Sequence, residues 1–235
     1  MSEFDKFADN YDDIHSENIK TSGYRPSYFD EMKIREVYSS LKSHGKESGA
    51  IKFLNFGCGI GKSEKYIRKY FPDSMICSVD VSAESVKAAR EKNKYLEGIR
   101  FETFDGYHIP FEVEFDVIFI ANVLHHVPFD RHLSLLKNLR SKMKKEGALF
   151  LFEHNPLNPL TVRAVNACEF DKDVRLLNPL YTRTILSQSG FIWRKMRFII
   201  FFPKFLSFLV PCEKYLKKLP LGAQYYYIAK KTVAG

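Results

Sequence analysis

Cysteine is scarce and scattered: Cys58, Cys77, Cys168 and Cys212 are the four in 235 residues, and no two form a Cys-x-x-Cys pair. Zinc sites, redox motifs and disulfide frameworks rely on such spacings. No metal ligand set and no disulfide are therefore expected, which suits a reducing cytoplasm. Long apolar runs are missing too, and nothing approaches the roughly 20 residues needed to cross a bilayer as a helix. Met1-Ser-Glu-Phe-Asp-Lys6 is polar and no apolar run follows it. This reads as a chain without a secretory leader, hence cytoplasmic. Acidic residues are outnumbered, 28 against 36 Lys and Arg, for a formal charge of +8. An excess of that sign suits nucleic acid, anionic lipid or an acidic substrate, or serves solubility alone.

Apolar residues make up 45% of the chain and aromatic ones 15%, enough for one domain with a substantial core. Glycine is sparse at 12, yet three fall within five positions of Ile51-Lys-Phe-Leu-Asn-Phe-Gly-Cys-Gly-Ile-Gly-Lys62. A buried strand carrying Phe53, Leu54 and Phe56 runs into Gly57, Gly59 and Gly61, and a helical pattern starts near Ser63. Strand, glycine turn and helix in that order form the first crossover of nucleotide-binding α/β folds. Taken alone, the cluster fits a tight turn as well as a ligand cradle.

Later strand ends decide between them. Met75-Ile-Cys-Ser-Val79 ends in Asp80, about 20 residues past the glycines, where an acid takes ribose hydroxyls. Ile99–Phe104 ends in Asp105-Gly106, and Phe115–Ile120 leads into Ala121-Asn-Val-Leu-His-His-Val127. With Asn55-Phe-Gly-Cys-Gly-Ile-Gly61, this series resembles the class I S-adenosylmethionine (SAM)-dependent methyltransferases, whose first motif is Asp/Glu-x-Gly-x-Gly-x-Gly. Asn55 departs from it where an acid is usual, and its amide lacks the charge that would favour the cofactor's ammonium. The resemblance spans about Phe4 to Lys230. It implies a Rossmann-like, seven-stranded, mostly parallel sheet with helices on both faces and the last strand antiparallel. It also implies SAM as cofactor, S-adenosylhomocysteine as product, and a cofactor site of Tyr11, Asn55, Phe56, Gly57, Cys58, Gly59, Gly61, Asp80, Val81, Asp105, Gly106, Asn122 and His125. Asn55, Asp80 and Asp105 are expected on one rim, Asp105 toward the adenine amino group. Cys58 reads as small and apolar rather than nucleophilic.

In order, residues 1–45 read as an N-terminal helical lid. Phe4, Phe7 and Tyr11 resemble the family's opening helix over the cofactor, and a longer helix runs from Tyr28 to Leu41. Residues 46–235 read as the SAM-binding domain, with insertions at 155–180 and 203–222. Helices are expected at Ser63–Tyr70, Ser82–Lys94, Asp130–Met143 and Leu180–Ser189, the second capped by Ser82. Strands follow at Ala148–Phe152, Phe191–Phe202 and Gln224–Lys230. Leu160–Pro179 shows no period and reads as a lid or binding loop. In residues 201–220, Phe205, Leu206, Phe208 and Leu209 accompany Lys204, Lys214, Lys217 and Lys218. That pattern suits an interfacial helix in peripheral contact with an anionic membrane, or equally a helix packed on the core or in a dimer.

Methyl transfer to a hydroxyl or acidic carbon calls for a general base. His126, His154 and Glu153 are the candidates in that order, all expected at the carboxyl edge of the sheet. Asn122-Val-Leu-His125 is not the Asn/Asp-Pro-Pro-Tyr/Phe exit of enzymes that methylate nucleobase amines. No Pro-Cys nucleophile follows that strand either, so DNA base methylation is disfavoured. Glu153-His-Asn-Pro-Leu-Asn-Pro159, Phe170-Asp-Lys-Asp173 and Pro220-Leu-Gly-Ala-Gln-Tyr225 resemble a bacterial subgroup found beside surface-polysaccharide or lipid-linked sugar enzymes. A small-molecule or lipid-linked O-methyltransferase is the leading expectation. An RNA (tRNA) methyltransferase and a catalytically silent SAM-fold binding protein are the alternatives.

Overall fold

A computed structural model describes residues 19–47, 49–168 and 174–232 of the chain. Seven strands form one sheet: β1 (Lys52–Phe56), β2 (Met75–Asp80), β3 (Ile99–Thr103), β4 (Phe115–Ala121), β5 (Met143–His154), β6 (Phe191–Ile199) and β7 (Gln224–Lys231). Their spatial order is β3-β2-β1-β4-β5-β7-β6. Pairing is parallel from β3 to β5, and β7 is antiparallel to both β5 and β6. The mostly parallel sheet and its reversed last strand agree with the sequence reading.

Alternate residues of a strand point to opposite faces, and here both faces are apolar. Phe53, Phe119, Phe150, Phe152 and Tyr226 face one way, under Met32, Ile34, Val37 and Leu41 of α1 (Pro26–Lys42) and Ile67 of α2 (Glu64–Tyr70). Leu54, Ile118, Leu149, Leu151, Tyr225 and Tyr227 face the other, under Leu135, Leu136 and Leu139 of α4 (His132–Ser141) and Ile185 and Leu186 of α6 (Pro179–Gln188). Val86 and Ala89 of α3 (Ala83–Lys92) pack with Phe101 beside β3, and Ser82 Oγ caps that helix by accepting from Ser85 N–H. Such two-sided burial is why these strands read as continuous apolar runs.

Three segments differ from their sequence reading. First, the helix expected to reach Met143 stops at Ser141, and β5 begins at Met143 rather than Ala148. The added residues pair with β4 across a register shift, and a Cβ on Gly147 would lie 2.9 Å from Phe115 O. The glycine therefore belongs to a bulge inside the strand. Second, the stretch read as an aperiodic loop contains α5 (Pro159–Asn166). Asn158 caps it by accepting from Leu160 and Thr161 N–H, with Pro159 at the first helical position. Asn178 and Pro179 start α6 in the same way, so those Asn-Pro pairs are helix starts. Third, Lys204–Cys212 is a 3-10 segment kinked at Leu206 and containing Pro211, followed by the single turn α7 (Glu213–Leu216). A regular amphipathic α-helix is absent there because Pro211 lies within the segment and cannot donate to a helical ladder.

That last segment is nonetheless anchored. Glu213 Oε1 accepts from Phe201 and Phe202 N–H. Lys217 Nζ lies 2.6 Å from Glu36 on α1, which also accepts from Tyr226 Oη. Asn158 Nδ2 and Asn155 Nδ2 donate to Leu221 O and Gly222 O, fastening the two insertions together. Among the described residues, no helix is long and apolar enough to cross a membrane.

Candidate active site

The carboxyl ends of β1, β2, β4, β5 and β6, with the start of β7, open onto one cavity of about 1450 Å³. Small-ligand pockets run to roughly 300–1,000 Å³, so this one has room for two molecules. Along the sheet edge it divides into two halves.

The first half is built on β1, β2 and β3. Gly57 and Gly59 both take positive φ, 75° and 51°. A Cβ on Gly57 would lie 2.3 Å from Val123 Cγ2, whereas one on Gly59 would meet nothing within 4 Å. Gly57 thus lets the loop close on the β4 exit, and Gly59 leaves its backbone open to a ligand. Asp80 Oδ2 accepts from Gly59 N–H at 2.8 Å and Oδ1 from Ser82 N–H at 3.0 Å. Burial raises the Asp80 pKa, against the lowering effect of those backbone donors. Asn55, Phe56, Gly57, Cys58, Gly59, Asp80, Val81 and Gly106 all line this half. Burial pushes the Cys58 thiol well up, which suits a packing role rather than a nucleophile.

Asp105 is not brought to the same rim. Its side chain is exposed, and Oδ1 accepts from Tyr107 and His108 N–H at 2.7 and 2.6 Å. Those bonds hold its pKa low, that to His108 N–H first. This is an Asx turn, and only its neighbours Phe104, Gly106 and Tyr107 line the cavity. Gly61 is likewise a packing position: a Cβ there would lie 2.9 Å from Ala89 Cβ of α3. Tyr11 lies outside the described residues, as does Phe170–Asp173.

The second half is built on β4, β5, β7 and β6. Asn122 adopts φ 57°, its N–H bonds Phe152 O, and its Oδ1 is buried without a hydrogen-bond partner. His126 and His154 line the cavity; His125 and Glu153 do not. Glu153 is fully buried, with Oε1 accepting from Leu124 N–H at 2.9 Å and Oε2 from His125 Nδ1 at 2.5 Å. Both oxygens are engaged beneath the site floor, so Glu153 is withdrawn as a general base. It holds the Leu124–His126 turn in place, as does buried His132, whose Nε2 reaches Leu124 O and Val127 O at 2.9 Å. His125 is likewise a supporting group, its ring 4.2 Å from that of His126 and 5.4 Å from that of His154.

Several lining residues escaped the sequence reading. Gln224 pairs with His154 across β5 and β7 and leaves Oε1 buried without a partner. Leu160 and Thr161 of α5 form a wall facing Phe201, Phe202 and Phe205. Lys33 of α1 is almost fully buried in the cavity wall; burial lowers its pKa, nearby Asp30 opposes this and Lys62 reinforces it. Only the Asn-Pro start of α5 carried a local signal; the others depend on long-range pairing.

An open backbone at Gly59, an orphaned carbonyl on Asn122 and a carboxylate on the Gly59 N–H suit a ligand carrying a ribose and a cationic amino-acid tail. SAM has both, and the residues present fit it.

Comparison with known proteins agrees. Residues 54–151 match the family described as "Methyltransferase domain". A malonyl-[acyl-carrier protein] O-methyltransferase of Bacillus cereus is 30% identical over 126 residues, 53% of this chain and 46% of the relative. A trans-aconitate 2-methyltransferase of Rhodopseudomonas palustris is 33% identical over 98 residues, 42% of this chain and 36% of the relative. The matched stretch thus spans less than half the length of either. The crystal structure of magnesium protoporphyrin IX methyltransferase from Synechocystis PCC 6803 with bound SAM superposes with a TM-score of 0.62 at 16% identity, covering 97% of this chain and 94% of that one. At that identity the likeness speaks for the fold.

Proposed function

We propose that this chain, which carries a methyltransferase domain on the class I SAM-dependent fold, moves a methyl group to an oxygen of a small-molecule or lipid-linked acceptor. The observation that carries this reading is the two-part cavity, with a nucleotide cradle on β1–β3 and an apolar chamber holding two histidines on β4–β6. SAM would supply a methyl on a sulfonium, which leaves as a neutral thioether as the new bond to oxygen forms. Gly57, Gly59, Asp80 and Asn122 would hold the donor, and the chamber walls would hold the acceptor. His154, which lines the chamber, takes the hydroxyl proton on a ring nitrogen. His126 lines the same chamber, within the electrostatic reach of Asp80.

The His154→Ala variant is expected to lose about 10²–10⁴-fold in kcat, the usual contribution of a general base, with SAM affinity within about twofold of the parent. His126→Ala should reduce both. A His154→Ala enzyme of unchanged kcat would remove the base from this reading. The defining assay is labelled-methyl transfer to lipid extracts, sugar-linked lipids and RNA. Methylated RNA, bound with steep salt dependence, would favour the RNA reading. Absence of any SAM binding by calorimetry would leave a silent scaffold.

The lipid-linked form of the proposal is supported by the cavity rim. Leu160 and Phe205 line the mouth yet are each 77% exposed, and Phe208 and Leu221 beside them are 71% and 63% exposed. Lys204, Lys214 and Lys218 border these side chains, and Glu213 is the only acid from 201 to 223, already engaged by backbone N–H groups. Apolar side chains among lysines suit an anionic bilayer surface. The protein should therefore co-sediment with vesicles containing anionic phospholipid and not with purely zwitterionic ones. The Phe205→Ser/Phe208→Ser variant should lose this while retaining SAM binding. A parent protein that stays in the supernatant with anionic vesicles would remove this support for a lipid-linked acceptor, and equal binding by the variant would move the contact away from Phe205 and Phe208.

A further inference from the structure

Asn55 occupies the strand end where the resemblance expects a carboxylate, and a carboxylate lies directly behind it. Glu64, in the first turn of α2, is fully buried. Its Oε1 accepts from Asn55 Nδ2 at 2.8 Å and from Ser78 Oγ at 2.7 Å, while Oε2 is buried with no hydrogen-bond partner. Burial raises the Glu64 pKa, and the two side-chain bonds only partly oppose this. A buried acid with one oxygen left unpartnered among the described residues is costly to the fold. Cross-linking β1, β2 and α2 does not require it, since a glutamine oxygen would accept the same two bonds.

The geometry has a directional consequence. Because Glu64 Oε1 accepts from Asn55 Nδ2, the NH2 side of the Asn55 amide is turned toward Glu64. The amide's other polar atom, Oδ1, is left for the cavity that Asn55 lines. Behind that oxygen stands the carboxylate, polarising the amide through the shared bond in a low-dielectric setting.

We infer that Glu64 is the displaced acid of the cofactor site: acting through Asn55, it presents Asn55 Oδ1 to the α-ammonium of SAM and supplies the negative charge that Asn55 lacks. Glu64 is then a positioning residue, and its role rests on the cofactor reading above. An incoming ammonium would also offset a negative charge that burial disfavours.

The test is calorimetry on the full chain with two ligands, S-adenosylhomocysteine and 5′-methylthioadenosine, which has the nucleoside and thioether but no amino-acid tail. Glu64→Gln is expected to weaken S-adenosylhomocysteine about tenfold or more, as loss of a charge-assisted bond does, and to leave 5′-methylthioadenosine within about twofold. Asn55→Asp/Glu64→Gln returns the charge to the strand end with the hydrogen-bond roles exchanged, and should restore the first ligand. Asn55→Ala should show the same selective loss if Glu64→Gln does not fold. Equal losses for both ligands, or a loss for neither, would overturn the role of Glu64. A parent protein that binds neither ligand would instead overturn the cofactor reading.

Discussion

Replacing Glu153 by alanine is expected to lower the melting temperature by on the order of 10 °C, although its side chain lies beneath the cavity rather than in its lining. Glu153 accepts from Leu124 N–H and from His125 Nδ1, and none of these groups reaches water. Removing one partner of such a buried pair costs about 3–5 kcal/mol, because the other is left without an acceptor. For a chain of this size each kcal/mol moves the midpoint by roughly 2–4 °C. Activity should fall with it, since the turn so held carries His126. Thermal melts and residual activity at low temperature separate this from chemistry. A variant with an unchanged midpoint and no turnover would return Glu153 to the catalytic group.

The Asp80→Ala variant is expected to lose SAM and S-adenosylhomocysteine affinity by about two orders of magnitude while remaining folded. One carboxylate here closes the glycine loop through Gly59 N–H and starts α3 through Ser82 N–H, and it also lines the cradle. Hydrogen bonds to a charged group contribute about 1.5–3 kcal/mol each, and every 1.4 kcal/mol is tenfold in affinity. Stability should change little, because deleting Asp80 also removes a carboxylate that burial already disfavours. Calorimetry gives the affinity and a melt confirms the fold. Unchanged affinity would mean that the Gly57–Gly61 loop is not where the nucleoside binds.

The geometry of the half built on β1 and β2 was largely legible because its information is local. A strand, its exit turn and the next helix are contiguous, so Gly57, Gly59 and Asp80 could be placed from spacing alone. Asp105 misled for the same reason: its strand-end position is right, but a carboxylate followed by Gly106 finds Tyr107 and His108 N–H within its own turn. Glu153 and Gln224 were opaque in a different way. What distinguishes the first is a partner 28 residues earlier. What distinguishes the second is the register of β7 against β5, and no local pattern encodes either. Lys33 lies within a helix expected simply as Tyr28–Leu41, and no local pattern marked it as part of the cavity wall. Glu64 carried no signal in the sequence, because the groups that distinguish it, Asn55 and Ser78, come from two separate strands.

The placement of β7 between β5 and β6 bears on how the molecule comes into being. Leu149–Phe152 of β5 are fully buried, yet one side of that strand's peptide ladder has no partner until Gln224–Lys231 has been synthesised and threaded into the gap. A nascent chain can therefore complete the β1–β3 half of the cavity early, while the β4–β6 half waits on the final strand. Throughout that interval β5 is an open edge of the kind that recruits neighbouring polypeptides, and the tyrosines of β7 are what seal it.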